Sequence, residues 1–317
     1  MSLKPPAPSR FLVAAFYAFT PLEGDTLARL LEELPALAAQ GNVLGSVLLA
    51  SEGVNGTISG SDEGVGQLLK RLRSDLQLGN AHFERLQVKF SHCDRQVFRR
   101  FKARRKKEIV TMGVPSVDPR ARVGTYVSPS EWNAVVDDPD TLLIDTRNRY
   151  EVAIGSFEGA VDPGTDSFRE FPEWVEKELR PLVESRAPAR IAMFCTGGIR
   201  CEKASSYLMQ NGFPEIHHLQ GGILSYLEQI PESASRWRGE CFVFDQRVAL
   251  NHQLQPGQHR LCHACGLPLT PEQRTMESYI PGVQCLHCKD LFSDRDRARF
   301  RERQRQWEQQ HAGGHRP

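Results

Sequence analysis

The chain has 317 residues, of which 25% are charged and 40% hydrophobic, and its forty basic and 39 acidic side chains leave a formal charge of +1. That length argues for about two domains, or three small ones, with enough buried surface to need no disulfide staple. The composition excludes a collagen, a coiled coil and wholesale disorder, and the near-neutral balance leaves partners to be read from local charge.

No apolar run approaches the ~18 residues of a membrane span. The apolar stretch Phe11–Phe19 follows a segment with three prolines and two basic residues and is not followed by a small-residue cleavage site. It reads as a strand rather than a signal peptide, and the expected compartment is the cytoplasm. Eight cysteines in such a chain point to metal binding or thiol chemistry rather than to a disulfide framework.

Residues 11–91 read as β-α-β-β-α-β. After the strand Phe11–Phe19, Thr20-Pro21-Leu22-Glu23 has the form of a capping box with proline at the first helical position. The helix carries Leu27, Leu30, Leu31, Leu34 and Leu37 on one stripe and stops at Gln40-Gly41. Val43–Ala50 and Asn55–Ser59 flank the turn Ser51-Glu52-Gly53. Ser61 caps a second helix bearing Leu68, Leu69 and Leu72, and Arg85–Phe90 is the last strand. This order fits a ferredoxin-like α+β sandwich, a fold that hosts too many activities to name one.

A basic linker is expected over residues 93–124. Between Arg95 and Lys107 it holds Arg95, Arg99, Arg100, Lys102, Arg104, Arg105, Lys106 and Lys107, with no acid and with Phe98 and Phe101 interleaved. Such a run can neutralise phosphates and stack on unpaired bases, or it can be a flexible connector only. The candidate RNA contacts are Arg99, Arg100, Lys102, Arg104, Arg105, Lys106 and Lys107.

Residues 125–233 alternate strand and helix. Ser128-Pro129-Ser130-Glu131 is a second capping box, and Leu142–Ile144 and Ile191–Phe194 are short continuous apolar runs, as buried parallel strands are. Helices are expected over Cys201–Gln210 and Ile223–Gln229, the latter stopped before Pro231. The segment is an α/β domain with a parallel sheet.

Cys195-Thr196-Gly197-Gly198-Ile199-Arg200 follows one of these strands and precedes a helix. Two glycines let the backbone wrap a sulfur so that successive N–H groups point inward. The helix dipole and Arg200 add positive charge, and all three favour a thiolate or persulfide anion able to act as a nucleophile. The alternative is a tight turn around a buried, inert cysteine. Cys201 is either a resolving thiol for Cys195 or a small residue packed under the loop.

Cys262-x2-Cys265 and Cys285-x2-Cys288 are separated by 19 residues, the spacing of two knuckles around one tetrahedral zinc. A structural zinc is expected, since four thiolates leave no open position; reduced thiols without metal are the alternative. His263 and His287 are alternative ligands or bystanders. No role is assigned to Cys93 or Cys241, and His217 and His218 are expected to be packed or solvated. In the arginine-rich end, Arg295, Arg299 and Arg303 share one helical row and Arg297, Arg301 and Arg305 another. Their interspersed acids fit a solvated helix as well as an RNA contact.

The cysteine loop, with Ile144-Asp145-Thr146-Arg147, Tyr150-Glu151, Gly155 and Gly159-Ala160 before it and Leu219-Gln220-Gly221-Gly222-Ile223 after it, resembles rhodanese domains. Ser156 departs from that pattern, where many rhodaneses carry histidine. The resemblance implies Cys195 as the persulfide cysteine, Thr196, Gly197, Gly198, Ile199 and Arg200 as its cradle, and Asp145 and Arg147 as loop supports. The stretches Phe194–Lys203, Ser167–Trp174 and Gly239–Val248 resemble one bacterial subfamily more narrowly. It joins an acylphosphatase-like domain, a rhodanese domain and a cysteine-rich tail, and its members are oxygen-dependent hydroxylases that convert the wobble uridine of tRNA to 5-hydroxyuridine.

The resemblance therefore implies tRNA as partner and molecular oxygen as co-substrate, and it leaves room for a sulfur- or electron-donor protein. The expected domains are 10–92 acylphosphatase-like, 93–124 linker, 125–233 rhodanese, 234–294 zinc-ribbon-like and 295–317 an arginine-rich tail. No flavin, haem or nicotinamide motif is present in the sequence. A sulfurtransferase working through a Cys195 persulfide, and an RNA-binding adaptor, are the competing readings.

Overall fold

The computed structural model describes residues 11–76 and 85–310; the readings made on residues 1–10 and 311–317 fall outside them. The apolar stretch Phe11–Phe19 is strand β1, and the leucine-striped segment is helix α1, Gly24–Gln40. Strands β2, Leu44–Ala50, and β3, Gly53–Gly60, follow, then α2, Asp62–Asp75, and β4, Gln87–Cys93. Ser61 caps α2 as expected, its Oγ accepting the Gly64 N–H at 3.1 Å.

The box at Thr20–Glu23 does not start α1. The N–H groups of Thr20 and Leu22 donate to the carbonyls of Glu52 and Ser51, which keeps this stretch extended alongside the β2–β3 turn. Helix geometry begins only at Gly24, after Glu23, which makes no side-chain capping bond.

The expected linker also differs. Phe101–Arg105 is a fifth strand, β5, pairing parallel to β2 at the edge of a sheet ordered β4-β1-β3-β2-β5. The period of two decides it: Phe101 and Ala103 pack on the core under the sheet, while Lys102 and Arg104 fall on the other face. α1 and α2 cover the inner face with Leu27, Leu30, Leu34, Leu68, Leu69 and Leu72.

The second sheet is ordered β6-β10-β9-β7 and is parallel throughout. The chain runs β6, Thr125–Val127; α3, Pro129–Val136; β7, Thr141–Asp145; α4, Arg149–Val152; and β8, Gly155–Phe157. It continues through α5, Phe171–Trp174; α6, Arg180–Arg186; β9, Arg190–Phe194; α7, Ile199–Gln210; β10, Ile216–Leu219; and α8, Gly222–Gln229. Strand β11, Trp237–Gly239, returns antiparallel to β8. Phe168 and Phe171 fill one face of the sheet and Trp132, Phe157, Phe194, Tyr226 and Trp237 the other. Both sheets belong to one compact unit, formed by the residues up to Gln246 and Leu250–Gln255.

Arg247–Ala249 and the residues from Pro256 onward form a second unit. In it Arg260–Leu261 pairs antiparallel with Pro268–Leu269, and helix α9 spans Asp294–Gln310. No helix among the described residues is long and apolar enough to cross a membrane.

Candidate active site

Cys195 stands immediately past the C-terminal end of β9, where a ligand site is expected in a parallel sheet. Its Sγ accepts the Gly198 N–H at 3.1 Å. Gly198, with φ +101°, is the N-cap of α7, so the backbone reverses there and aims the helix N-terminus at the sulfur. A second close approach holds the loop from behind. Gly222, with φ +66°, lies so near that an added Cβ would stand 2.5 Å from the Cys195 carbonyl oxygen. That oxygen accepts the Ile223 N–H at 2.9 Å, and the Thr196 carbonyl accepts the Leu224 N–H at 3.1 Å.

Cys195 is 1% exposed. Burial pushes its thiol up, yet the Cys201 thiol, the Arg200 guanidinium and the N–H groups of Cys201 and Gly198 outweigh burial and bring it down to about 6. Burial and the adjacent Cys195 sulfur drive the Cys201 thiol the other way, well above its usual value. Cys201 is thus the protonated donor of the pair, with Thr146 Oγ1 at 3.5 Å from its sulfur.

Arg200 is clamped by Glu151, its two amino groups donating to the carboxylate at 2.6 and 2.8 Å. Burial opposes charge on Glu151, but Arg200 and then Arg147 hold its carboxyl below the usual range. Asp145 and Arg147 form a fully buried pair, at 2.8 and 2.6 Å. Arg147 also donates to the carbonyls of Glu151 and Gly155 and lies over the Trp237 ring. Ser156, at the position where the sequence departs from the rhodanese pattern, donates to Asp145 Oδ2 at 2.8 Å. Asp145 and Arg147 therefore reach the cradle through Glu151 rather than by touching the cysteine loop.

Glu151 was not among the expected site residues, although it stands in a quoted motif and three residues after Asn148, the N-cap of α4. The grip of the first sheet on α7 had no local signal at all. Tyr17 of β1 donates to Glu202 Oε1 at 2.8 Å. Lys203, 1% exposed, donates to Glu52 at 2.9 Å, Glu108 at 2.6 Å and the Val110 carbonyl at 3.1 Å. Consecutive residues near the start of α7 are thus held by β1, by the β2–β3 turn and by the segment after β5. His218 is buried against the Tyr126 ring at 4.3 Å, and Cys241 is buried, its thiol pushed up to about 12 mainly by that burial.

The basic run is spread along the sheet edge. Arg99, Arg100, Arg104, Arg105, Lys106 and Lys107 are exposed and Lys102 half-buried, and none of these cations pairs with a carboxylate among the described residues. Like-charge crowding, chiefly by Arg100, lowers the Lys102 pKa. Arg105, Lys106 and Lys107 line a surface cleft of about 380 Å³ with Leu22, Gly24 and Ser51, at the N-terminus of α1. The two phenylalanines of the run are not offered for stacking. Phe101 packs on the first core, and Phe98 on Val13, Cys93 and Val97.

In the second unit the sulfurs of Cys262, Cys265, Cys285 and Cys288 lie within 4.8 Å of one another. Three of their separations are 4.0, 3.8 and 3.7 Å, close to the ~3.8 Å edge of a tetrahedron with 2.3 Å metal–sulfur bonds. The residues present fit a metal ion. His263 and His287 are exposed and stand outside the cluster. On α9, Arg297, Arg299 and Arg305 pair with Asp294, Asp296 and Glu302, and Arg303 donates to the His263 carbonyl.

Residues 11–109 match the UPF0176 acylphosphatase like domain and residues 128–229 the rhodanese-like domain. The chain is 72% identical to the tRNA uridine(34) hydroxylase of Parasynechococcus marenigrum (strain WH8102), over 95% of this chain and 94% of that one. It is 67% identical to that of Synechococcus sp. (strain CC9605), over 97% and 94% of the two chains. To that of Prochlorococcus marinus (strain MIT 9313) it is 62% identical, over 94% of each. With both domains matched in order and relatives this similar from end to end, the chain belongs to the tRNA uridine(34) hydroxylase family.

Proposed function

We propose that this chain hydroxylates uridine 34 of tRNA at C5, with Cys195 as nucleophile and dioxygen as co-substrate. The observation that carries the reading is the cradle. A thiol brought down to about 6, in a nest of N–H groups and beside a clamped guanidinium, is built to hold a sulfur anion rather than to fill space. Sulfur adding to C6 of the uracil turns C5 into an enolate-like carbon open to oxidation, and elimination of sulfur restores the ring. Taking one oxygen atom from dioxygen and reducing the other to water consumes two electrons and two protons, so the reaction has an external donor, proposed to be a thiol or electron-donor protein.

Thr196, Gly197, Gly198 and Ile199 shape the nest, Arg200 supplies the charge, and Asp145 and Arg147 hold Glu151 and through it Arg200. The exposed cations from Arg99 to Lys107 take the tRNA backbone. Cys262, Cys265, Cys285 and Cys288 hold a structural zinc, which lends its unit folding energy; metal analysis returning under half an equivalent would count against it.

The deciding experiment is nucleoside mass spectrometry of tRNA incubated with wild-type protein and with Cys195→Ala, in air and without oxygen. The expected product is 5-hydroxyuridine that requires both Cys195 and oxygen. Unmodified uridine beside Cys195-dependent thiosulfate turnover would leave a sulfurtransferase instead, which the same cradle also suits.

A further inference from the structure

An exposed aromatic side chain stands at the end of a short ladder of rings that starts beside the cysteine cradle. Tyr150 precedes Glu151, the residue that clamps Arg200, and its ring meets Phe242 edge-on at 5.1 Å. Phe242 meets Phe244 in the same way, also at 5.1 Å. Phe242 is buried, whereas Phe244 is 61% exposed.

The strap that carries Phe244 is tied at both ends. On the cradle side Trp237–Gly239 pairs with Gly155–Phe157, and the Glu240 N–H donates to the Ile154 carbonyl at 2.8 Å. On the other side the Gln246 N–H donates to the Val97 carbonyl at 3.1 Å. Val97 opens directly into Phe98, Arg99 and Arg100, whose arginines are exposed. Phe244 thus stands between the start of the cation run and the cradle. Unpaired nucleic acid is bound by this combination, cations for the backbone and an aromatic face for a base. The phenylalanines inside the basic run are committed to cores, so the aromatic component comes from elsewhere in the chain.

We propose that Phe244 is a stacking platform for an unpaired nucleobase next to uridine 34, holding the tRNA loop so that the target base reaches Cys195. The proposal rests on the tRNA reading above and adds to it the residue that recognises the single-stranded loop. The ring carries no charge, so its contribution is independent of salt, unlike that of the arginines beside it. It is also independent of base identity, because every base has a π-face.

The test is binding and turnover of a short RNA hairpin bearing the loop with uridine 34, compared with the same sequence closed into a duplex. Phe244→Ala should weaken hairpin binding roughly five- to a hundredfold, raise KM with little change in kcat, and leave the salt slope and duplex binding as in wild type. Phe244→Trp should restore binding and show tryptophan quenching, relative to wild type, on adding hairpin but not duplex. Unchanged hairpin affinity in Phe244→Ala, or an equal loss for hairpin and duplex, would overturn the platform while leaving the hydroxylase reading intact. A wild-type chain that binds neither RNA would overturn both.

Discussion

At the scale of single residues, the chemistry rests on which of two adjacent thiols loses its proton. Cys195 and Cys201 are both fully buried, and burial alone would raise both. The asymmetry comes from donors: Cys195 accepts from the Gly198 N–H and faces Arg200, while Cys201 donates to Cys195. A thiol lowered to about 6 is thiolate above that pH and is protonated, with loss of nucleophilicity, as pH falls through it. The ultraviolet thiolate absorbance of wild type minus Cys195→Ser should therefore titrate with a midpoint near 6. Arg200→Met should move that midpoint up, toward the ordinary thiol value of about 8.5. A wild-type midpoint already at the ordinary value would show that the nest does not stabilise the anion.

At the scale of elements, α7 is the part that everything else positions. Its N-terminus makes half the nest, and its first turn is pinned by Tyr17, Glu52 and Glu108 through Glu202 and Lys203. Replacing Lys203 with methionine leaves two carboxylates facing each other without their cation, at a cost of about 3 kcal/mol. Lys203→Met should therefore lower the denaturation midpoint and also broaden or raise the Cys195 titration, because the helix that cradles the sulfur loses its anchor. A variant less stable but with an unchanged thiolate midpoint would make Lys203 a stability residue only.

This anchor also marks where sequence reasoning stops. The loop, the helix starts at Ser61 and Ser128, and the buried parallel strands are local patterns and are readable as such, although of the two serines Ser61 alone makes a side-chain capping bond. The failed helix start at Thr20 and the strand Phe101–Arg105 are decided by partners distant in the chain, Ser51 and Glu52 in one case and β2 in the other. Glu151 could be found from its spacing after Asn148, but nothing within a few residues of Tyr17 or Lys203 announces partners 93 to 185 positions away.

For the molecule as a whole, charge placement carries more than charge balance. A formal charge of +1 says nothing about RNA, yet β5 and the residues after it gather cations without carboxylate partners among the described residues at one sheet edge, whereas three of the six arginines of α9, Arg297, Arg299 and Arg305, pair with their own helix's acids. Phosphate contacts release counterions, and each one adds roughly 0.7 to 0.9 to the slope of log affinity against log salt. Replacing Arg104, Lys106 and Lys107 with glutamine should thus weaken tRNA binding and flatten that slope by about two to three. The loss should be the same for any tRNA sequence, since the contacts are to the backbone. The matching replacement of Arg299, Arg301 and Arg305 on α9 should change the slope little. An unaltered slope in the first variant and a flattened one in the second would move the RNA-binding surface from the sheet edge to the terminal helix.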